Sequence, residues 1–356
     1  MQLKCTVRIF AVFISMTTQI HLAAAKESIF AENAEQLYRA VDLVNKGEVN
    51  NIIIANGNYH IPNRLTILAD NVTLSGAGAS SESVVINGNG MTQSTYVNVI
   101  FDISGSNVKI ENLTLQNVSN HLIQLRAENN ADNVHLSNVR LLNSYEQMIK
   151  VSGGSGPDLP TSDNGIIENC LFEYTEGVGP QYYIGGIDAH RAHNWIVKNN
   201  TFKNIASPNQ HIAEHAVHFW NFSKNNTVIN NTIINSDRGI GFGMGDKAHQ
   251  NEGGIIANNT IIHDNPKHPF ADVGIILESS PGTVVRDNYI LINHDYPNAI
   301  EYRYPATKNV KIEHNYTNRR IAARDGATAT LVNNDEVSWA EGAWLWVKHI
   351  VKLTLK

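Results

Sequence analysis

Charge and cysteine are what this 356-residue chain has least of. Only 17% of its residues are Asp, Glu, Lys or Arg, and the net charge is −6 with histidine neutral. A weakly acidic chain with so few cations has no field to hold nucleic acid or an anionic membrane. An acidic polysaccharide stays open where basic residues gather locally. There are two cysteines, and Cys5 lies in an N-terminal segment expected to be removed. Cys170 then stands alone, so no internal disulfide holds the fold. It sits in a strand-like run, residues 166–172, and reads as a buried structural thiol rather than a nucleophile. Long apolar runs are missing after the first 25 residues, so no later segment is expected to span a membrane.

Residues 1–25 read as a secretory signal. Lys4 and Arg8 supply the positive start, residues 9–14 the apolar stretch, and Ala23, Ala24 and Ala25 a small-residue cleavage site. Thr17, Thr18, Gln19 and His21 interrupt the run and make it too short to cross a bilayer. The mature protein is expected to be secreted or periplasmic, and a monomer.

What is abundant instead is asparagine, a residue poor in helices. One phrase recurs with it: Ile110-Glu111-Asn112-Leu113, Leu136-Ser137-Asn138-Val139, Ile167-Glu168-Asn169-Cys170 and Val197-Lys198-Asn199-Asn200. It continues at Ile229-Asn230-Asn231, Ile256-Ala257-Asn258-Asn259, Val285-Arg286-Asp287-Asn288 and Ile312-Glu313-His314-Asn315. Successive copies are 26, 31, 30, 31, 28, 29 and 27 residues apart. A near-constant period with variable remainders means one structural turn plus loops of different length. The segments between are short, β-branched and alternating, which excludes helical solenoids and βαβ units. A β-solenoid with three short strands per coil fits this spacing. Stacked coils lie about 4.8 Å apart, so equivalent asparagines are expected to form a ladder, each amide bonding to the next coil. That ladder accounts for the many Asn-x-Ser/Thr sequences more economically than glycosylation does.

A solenoid exposes strand edges at both ends. Leu37, Ala40, Val41 and Val44 share one face of a predicted helix over residues 35–46, an N-terminal cap. At the far end Ala340, Ala343, Trp344, Val347, Ile350 and Val351 recur at helical spacing and predict a C-terminal cap or tail over 336–356. The body between, residues 26–335, is predicted to be one domain.

The N-terminal helix, the Ala55-Asn56-Gly57-Asn58-Tyr59 turn and the asparagine coils resemble the pectate-lyase-like superfamily. The resemblance covers roughly residues 30–335 and implies an all-β, right-handed parallel β-helix. That superfamily includes polysaccharide lyases, glycoside hydrolases and uronate C5-epimerases, with some adhesive members. Architecture alone does not choose among them.

Each coil carries a second strand before its Asn phrase, and these strands align. Alternation sends Ile123, Ile149, Ile187, Val217, Ile240, Ile275 and Ile300 inward, with Leu125, Val151, Ala189, Phe219, Phe242, Leu277 and Tyr302 as a second inward stack. One outward column then reads Gln124, Lys150, Asp188, His218, Gly241, Ile276, Glu301. Its neighbour reads Arg126, Ser152, His190, Trp220, Gly243, Glu278, Arg303, Arg324. A plain solvated face would favour Thr, Ser, Lys and Asn. This one holds His, Trp, Arg, Asp and Glu, and Trp220 is costly to expose without a ligand. Gly241 and Gly243 leave bare backbone where something could approach closely. The strip is therefore expected to be a groove, with His215 and Arg238 at its rim.

Uronate lyases and epimerases remove the proton α to a carboxylate, which takes a base, a cation and often an acid. His190, His218 and Arg238 are the expected catalytic residues. Arg126, Lys150, Asp188, His215, Trp220, Gly241, Gly243, Glu278, Glu301 and Arg303 are expected to place the substrate. Residues 185–191 partly resemble the Asp-Pro-His-Asp signature of alginate C5-epimerases. Ala189 and Arg191 replace its Pro and second Asp, so Asp188 and His190 alone carry over. A second reading is an inverting glycoside hydrolase using Glu278 and Glu301, diagonal neighbours about 8 Å apart by coil spacing. A third is a non-catalytic glycan-binding solenoid. Asp188, Glu278 and Glu301 offer oxygens for calcium, but Asp188 is about 14 Å from Glu278 by the same spacing. No His/Cys cluster shows zinc spacing, which leaves the metal open.

Overall fold

The computed structural model describes residues 27–93, 97–154, 156–209, 211–265 and 270–344. The predicted signal, residues 1–25, and the last part of the predicted tail, residues 345–356, lie outside them.

The coils stack as the repeat requires, and their strands pair in parallel. One long sheet holds the Asn-phrase strands, two short ones per coil in places, as at Ile166–Glu168 and Leu171–Glu173. A second sheet runs in coil order from Leu65–Ile67 to Arg320–Arg324 and carries the strip. Its register matches the alignment residue for residue: Gln124 beside Lys150, Lys150 beside Asp188, Asp188 beside His218, His218 beside Gly241, and Ile276 beside Glu301. Pleat alternation does this, because a slip of one residue would drive the isoleucine column into water. Ile123, Ile149, Ile187, Val217, Ile240, Ile275 and Ile300 are all fully buried. Each contributes about 1.5–3 kcal/mol by leaving water.

The asparagines split into two roles that the sequence reading had merged. In the later coils the first of the phrase's two Asn positions turns a corner and the Asn that follows it carries the ladder, while in the early coils Asn138 Nδ2 donates to Asn112 Oδ1 at 2.9 Å. Asn112, Asn138, Asn169, Asn199, Asn230 and Asn258 have φ between 53° and 58° and turn the chain at a corner. Further left-handed corners fall five residues to either side, at Asn107 and Asn117, Asn133 and Asn143, Asn194 and Asn204, and Asn225 and Asn235. Asparagine tolerates that conformation better than other non-glycine residues, so the corners account for many of the asparagines. The interior ladder belongs to the next residue along and begins only at Asn200. Asn200, Asn231, Asn259, Asn288, Asn315 and Asn334 bond amide to amide, each Nδ2 donating to the next Oδ1 at 2.9–3.0 Å. In earlier coils the position is filled by Leu113, Val139 and Cys170, and the Cys170 backbone N–H opens the ladder by donating to Asn200 Oδ1 at 2.9 Å.

Burial pushes the Cys170 thiol up to about 12. A thiolate is the reactive form, so a thiol reagent should leave native protein unlabelled and modify it only once denatured. Stoichiometric labelling of the native chain would place Cys170 elsewhere.

At the N-terminal end the helix Ala34–Asn45 buries Leu37, Ala40, Val41 and Val44, the four residues expected, and Asn33 caps it by accepting from the Gln36 N–H. A strand not anticipated, Ser28–Ala31, precedes it and pairs with Asn51–Ile54. At the other end residues 339–344 are helical. Ser338 and Glu341 form a reciprocal cap. This turn leans on the flank of the coils, where the Tyr289 hydroxyl donates to the Gly342 carbonyl and Gly342 abuts Leu291.

Candidate functional site

The strip is built round Asp188, which is 4% exposed. Lys150, one coil before it, donates to Oδ2. Trp220 Nε1 donates to Oδ1 at 2.5 Å. His190 Nε2 and His218 Nδ1 each stand 3.8 Å from a carboxylate oxygen. Burial alone would raise this carboxyl, but Lys150 and the two histidines outweigh it and hold Asp188 down to about 2. A carboxylate so occupied has no capacity left for substrate. Asp188 therefore positions its four neighbours from beneath.

Two of those neighbours line a cleft of about 520 Å³ with Asn221, Lys247 and Gln250: His190 and Trp220. The imidazole of His190 meets the edge of the Trp220 ring, with centroids 4.3 Å apart. Its Nε2 faces the Lys150 ammonium at 3.1 Å. An ammonium demands a lone pair there, so the neutral ring carries its proton on Nδ1, where it donates to the Gly153 carbonyl. Burial, opposed by Asp188 and reinforced by Lys150 and His218, pushes His190 down to about 4. His190 is an uncharged base on the wall of a cleft. The Tyr183 hydroxyl, on the loop before this strand, feels the charges of Lys150, Asp188 and Glu214. Tyr183 is 42% exposed, and no pattern in the strands could have picked it out.

His218 is placed otherwise than expected. It is 1% exposed, stacked under Trp220 with the rings 8° from parallel, and its Nε2 donates to the Gly243 carbonyl at 3.0 Å. It lies beneath the surface of the groove. His215 is not at the rim either. It is 5% exposed, and its ring covers Gly241, where a Cβ would come within 2.6 Å of Nε2. Gly241 thus makes room for a histidine, not for a ligand. Gly243 has φ of 79°, and a Cβ there would lie 1.7 Å from the Glu278 carbonyl oxygen, so backbone geometry alone demands glycine.

Arg238 pairs in register with His215 at the entrance of its strand. It is two coils and five residues from His190, ~19 Å by strand geometry, so the two cannot act on one sugar ring. Its contact with Asp272 is long, 3.5 Å, and its Nε makes no hydrogen bond. The other expected cations are committed. Arg126 grips Asp102 with two bonds at 2.7 and 2.9 Å, and Arg303 spans Glu278 at 3.0 Å and Asp325 at 2.8 Å.

Glu278 also accepts from the Gly245 N–H at 2.8 Å. Glu301 has no exposed surface and accepts from Tyr296 at 2.6 Å, Asn298 at 2.5 Å and Arg324 at 3.1 Å. Both carboxylates that a glycoside hydrolase would use are thus engaged by arginines and neutral donors, and Glu301 lies out of reach of solvent. Nor do Asp188, Glu278 and Glu301 suit calcium, since their oxygens are taken by N–H, O–H and cationic donors.

Burial lowers three histidines of this face: His121 to about 4, His190 to about 4, and His215 well below its usual value. Unfolded histidine titrates near 6.5, so the unfolded chain takes up these protons first as the pH falls. The stability they confer is complete above about pH 6.5 and lost on descent to about pH 4. At ~1.4 kcal/mol per unit the loss reaches several kcal/mol. Melting temperature should fall across that window; a flat profile would show the histidines to be solvated.

The family model for the right-handed beta helix region matches residues 185–348. The chain is a right-handed parallel β-helix. No curated protein matches its sequence. Among solved structures, the β-helix superposes on an alginate lyase from Paenibacillus sp. str. FPU-7 with a TM-score of 0.59 at 14% identity, covering 87% of this chain and 99% of that one. A mannuronan C-5 epimerase A-module from Azotobacter vinelandii gives 0.51 at 15% identity, with 86% and 91% covered. A surface adhesin of Streptococcus pneumoniae gives 0.55 at 14%, with 86% and 90% covered. At such identities the likeness is one of fold. The same β-helix carries a lyase, an epimerase and an adhesin, so chemistry has to be argued from the strip. Among the described residues no helix is long and apolar enough to cross a membrane.

Proposed function

We propose that this β-helix acts on a uronate-containing polysaccharide by β-elimination or C5 epimerisation, with His190, Lys150 and Tyr183 at its reacting centre. The observation that carries the reading is an uncharged imidazole at the wall of a cleft, backed by an ammonium from the preceding coil at 3.1 Å. A uronate carboxylate entering the cleft takes Lys150 as its counter-ion. That frees the His190 Nε2 lone pair to accept the proton on the carbon α to the carboxylate, while Lys150 stabilises the enolate-like charge that develops. In elimination the departing glycosidic oxygen takes a proton from Tyr183. In epimerisation Tyr183 instead gives its proton to the same carbon from the face opposite His190. Trp220 offers its ring to the apolar face of the sugar. Fold likeness to a lyase and an epimerase of uronate polymers is consistent with this chemistry and does not establish it.

The test is incubation of the purified chain with alginate, pectate and glycosaminoglycans. A lyase gives a rise in ultraviolet absorbance from the new C4–C5 double bond. An epimerase gives solvent-hydrogen exchange at C5 without that rise. Because His190 must be neutral to act, the acid limb of kcat/KM is expected at about pH 4. New reducing ends without unsaturation would favour hydrolysis, and binding without turnover a purely adhesive role.

A further inference from the structure

The reaction centre leaves unexplained a second group of side chains, at the entrance of the strip. His215 is wholly enclosed, yet neither of its ring nitrogens has a hydrogen-bond partner. A buried imidazole without a partner loses the full solvation of two polar atoms, on the order of 1–3 kcal/mol for each. Glu214 and His218 stand beside it. The Glu214 carboxylate lies 4.0 Å from His215 Nδ1, and the His215 and His218 rings are 4.3 Å apart at their centroids. One donor atom from each of the three falls within 4.8 Å of the others. His218 is also fixed in orientation: its Nε2–H donates to the Gly243 carbonyl, so the neutral ring keeps its lone pair on Nδ1, which stands 3.8 Å from Asp188 Oδ1. A carbonyl on one ring nitrogen and a free lone pair on the other is how metal-bound histidines are held.

We infer that Glu214, His215 and His218 form a binding site for a first-row divalent transition ion, zinc foremost. Two imidazoles and one carboxylate suit that class, whereas calcium requires six or more oxygens. Donors round a tetrahedral zinc lie about 3.4 Å apart, and rotation of the partly exposed Glu214 side chain closes the 4.0 Å gap. The spacing Glu214-His215-x-x-His218 is too short for an ordinary strand to bring all three to one side. The strand bends at its entrance. In the coil before, a Cβ on Gly186 would meet Phe202 and Ile205 of the core, so that position and Ile187 after it both face inward. The bend returns the residue before them, His215 in its own coil, to the outward face. Arg238, one coil on, opposes the ion's charge and is partly offset by Asp272 at 3.5 Å. The ion's use in the uronate reaction rests on the function proposed above; the binding of the ion does not.

The experiment is calorimetric titration of zinc into the full chain, made without a histidine tag and stripped with a chelator, together with the visible spectrum of the cobalt-loaded protein. The expected result is one zinc per chain with micromolar or tighter affinity, no comparable heat from calcium, and cobalt bands of a four- or five-coordinate site. Glu214→Gln should weaken zinc binding more than about tenfold, and His215→Ala should abolish it, with melting curves confirming that each variant is folded. If His215→Ala does not fold, Glu214→Gln decides. Zinc binding no tighter than calcium binding, or undiminished in the folded variants, overturns the site and assigns the zinc to surface histidines. Because none of these readouts uses turnover, a failed metal site and a failed uronate activity are told apart.

Discussion

Replacing His190 with Gln is expected to lower turnover of a uronate polysaccharide by about 10²–10⁴-fold, the usual contribution of a positioned general base. Glutamine keeps an amide nitrogen and oxygen near the Lys150 ammonium and Asn221 but cannot accept the α proton. Substrate affinity should change little, because the carboxylate is held by Lys150 and the ring face by Trp220. The loss therefore falls on kcat and not on KM. Stability supplies the control that separates a base from a structural residue. His190 weakens the fold as the pH drops, since burial keeps its own protonation down to about 4. The Gln variant has no such group, so between about pH 6.5 and pH 4 it should lose less stability than the parent. A variant that loses activity and also melts lower at every pH would mean that His190 holds the site together and does not take the proton. A variant with unchanged kcat would move the base elsewhere, with Tyr183 the next residue to replace. Lys150 is a poorer first target. Its removal leaves Asp188 buried without its counter-ion, a change that costs several kcal/mol whatever Lys150 does in turnover.

The parts of this protein legible in its sequence are those set by strict periodicity. A strand has period two and a coil repeats at nearly constant length, so aligning isoleucine under isoleucine was enough to place Lys150 beside Asp188 and His190 beside Trp220. What was not legible depended on departures from that period. The entrance bend reverses alternation, which hid His215 as an enclosed neighbour of His218 and so concealed the cluster with Glu214. Left-handed corners consume asparagine for a backbone reason, and sequence cannot separate a corner Asn from a ladder Asn when the two are adjacent, as at Asn258 and Asn259. Glycine carries the same ambiguity. Gly241 and Gly243 suggested an approach by ligand, but one yields to a histidine ring and the other to a positive φ. Loop residues such as Tyr183 have no period at all. Arg238 failed as a partner of His190 for a simpler reason: the strip is longer than one sugar, and being on the same face does not mean being at the same subsite.

Adjacent asparagines give the most direct test of the corrected ladder. Asn259 is fully buried, whereas Asn258 is exposed with φ of 53°. The Asn259 side chain makes four bonds. Its Nδ2 donates to the Val228 carbonyl at 2.9 Å and to Asn288 Oδ1 at 3.0 Å. Its Oδ1 accepts from the Asn231 backbone N–H and from Asn231 Nδ2, both at 3.0 Å. Asn259→Ala strips all four at once. Asn231 Nδ2 still reaches the Val197 carbonyl, and Asn288 Oδ1 still receives the backbone N–H of residue 259. The Asn231 N–H and the Val228 carbonyl have lost the bonds this side chain supplied, in the buried interior. At about 1–3 kcal/mol for each buried group left unpaired, plus a small cavity, the expected cost is on the order of 4 kcal/mol. Asn258→Ala breaks no interior bond and meets only the penalty of a left-handed corner, about 1–2 kcal/mol. Asn258→Gly should cost less still, because glycine accepts positive φ freely. Chemical denaturation of the three variants ranks them, and hydrogen exchange at the Asn231 amide reports the broken rung directly. Because coils contact only their neighbours, the protection lost should be centred on the coils of Asn231, Asn259 and Asn288 and fade toward the ends. If Asn258→Ala proves as damaging as Asn259→Ala, the ladder is not what holds these coils together.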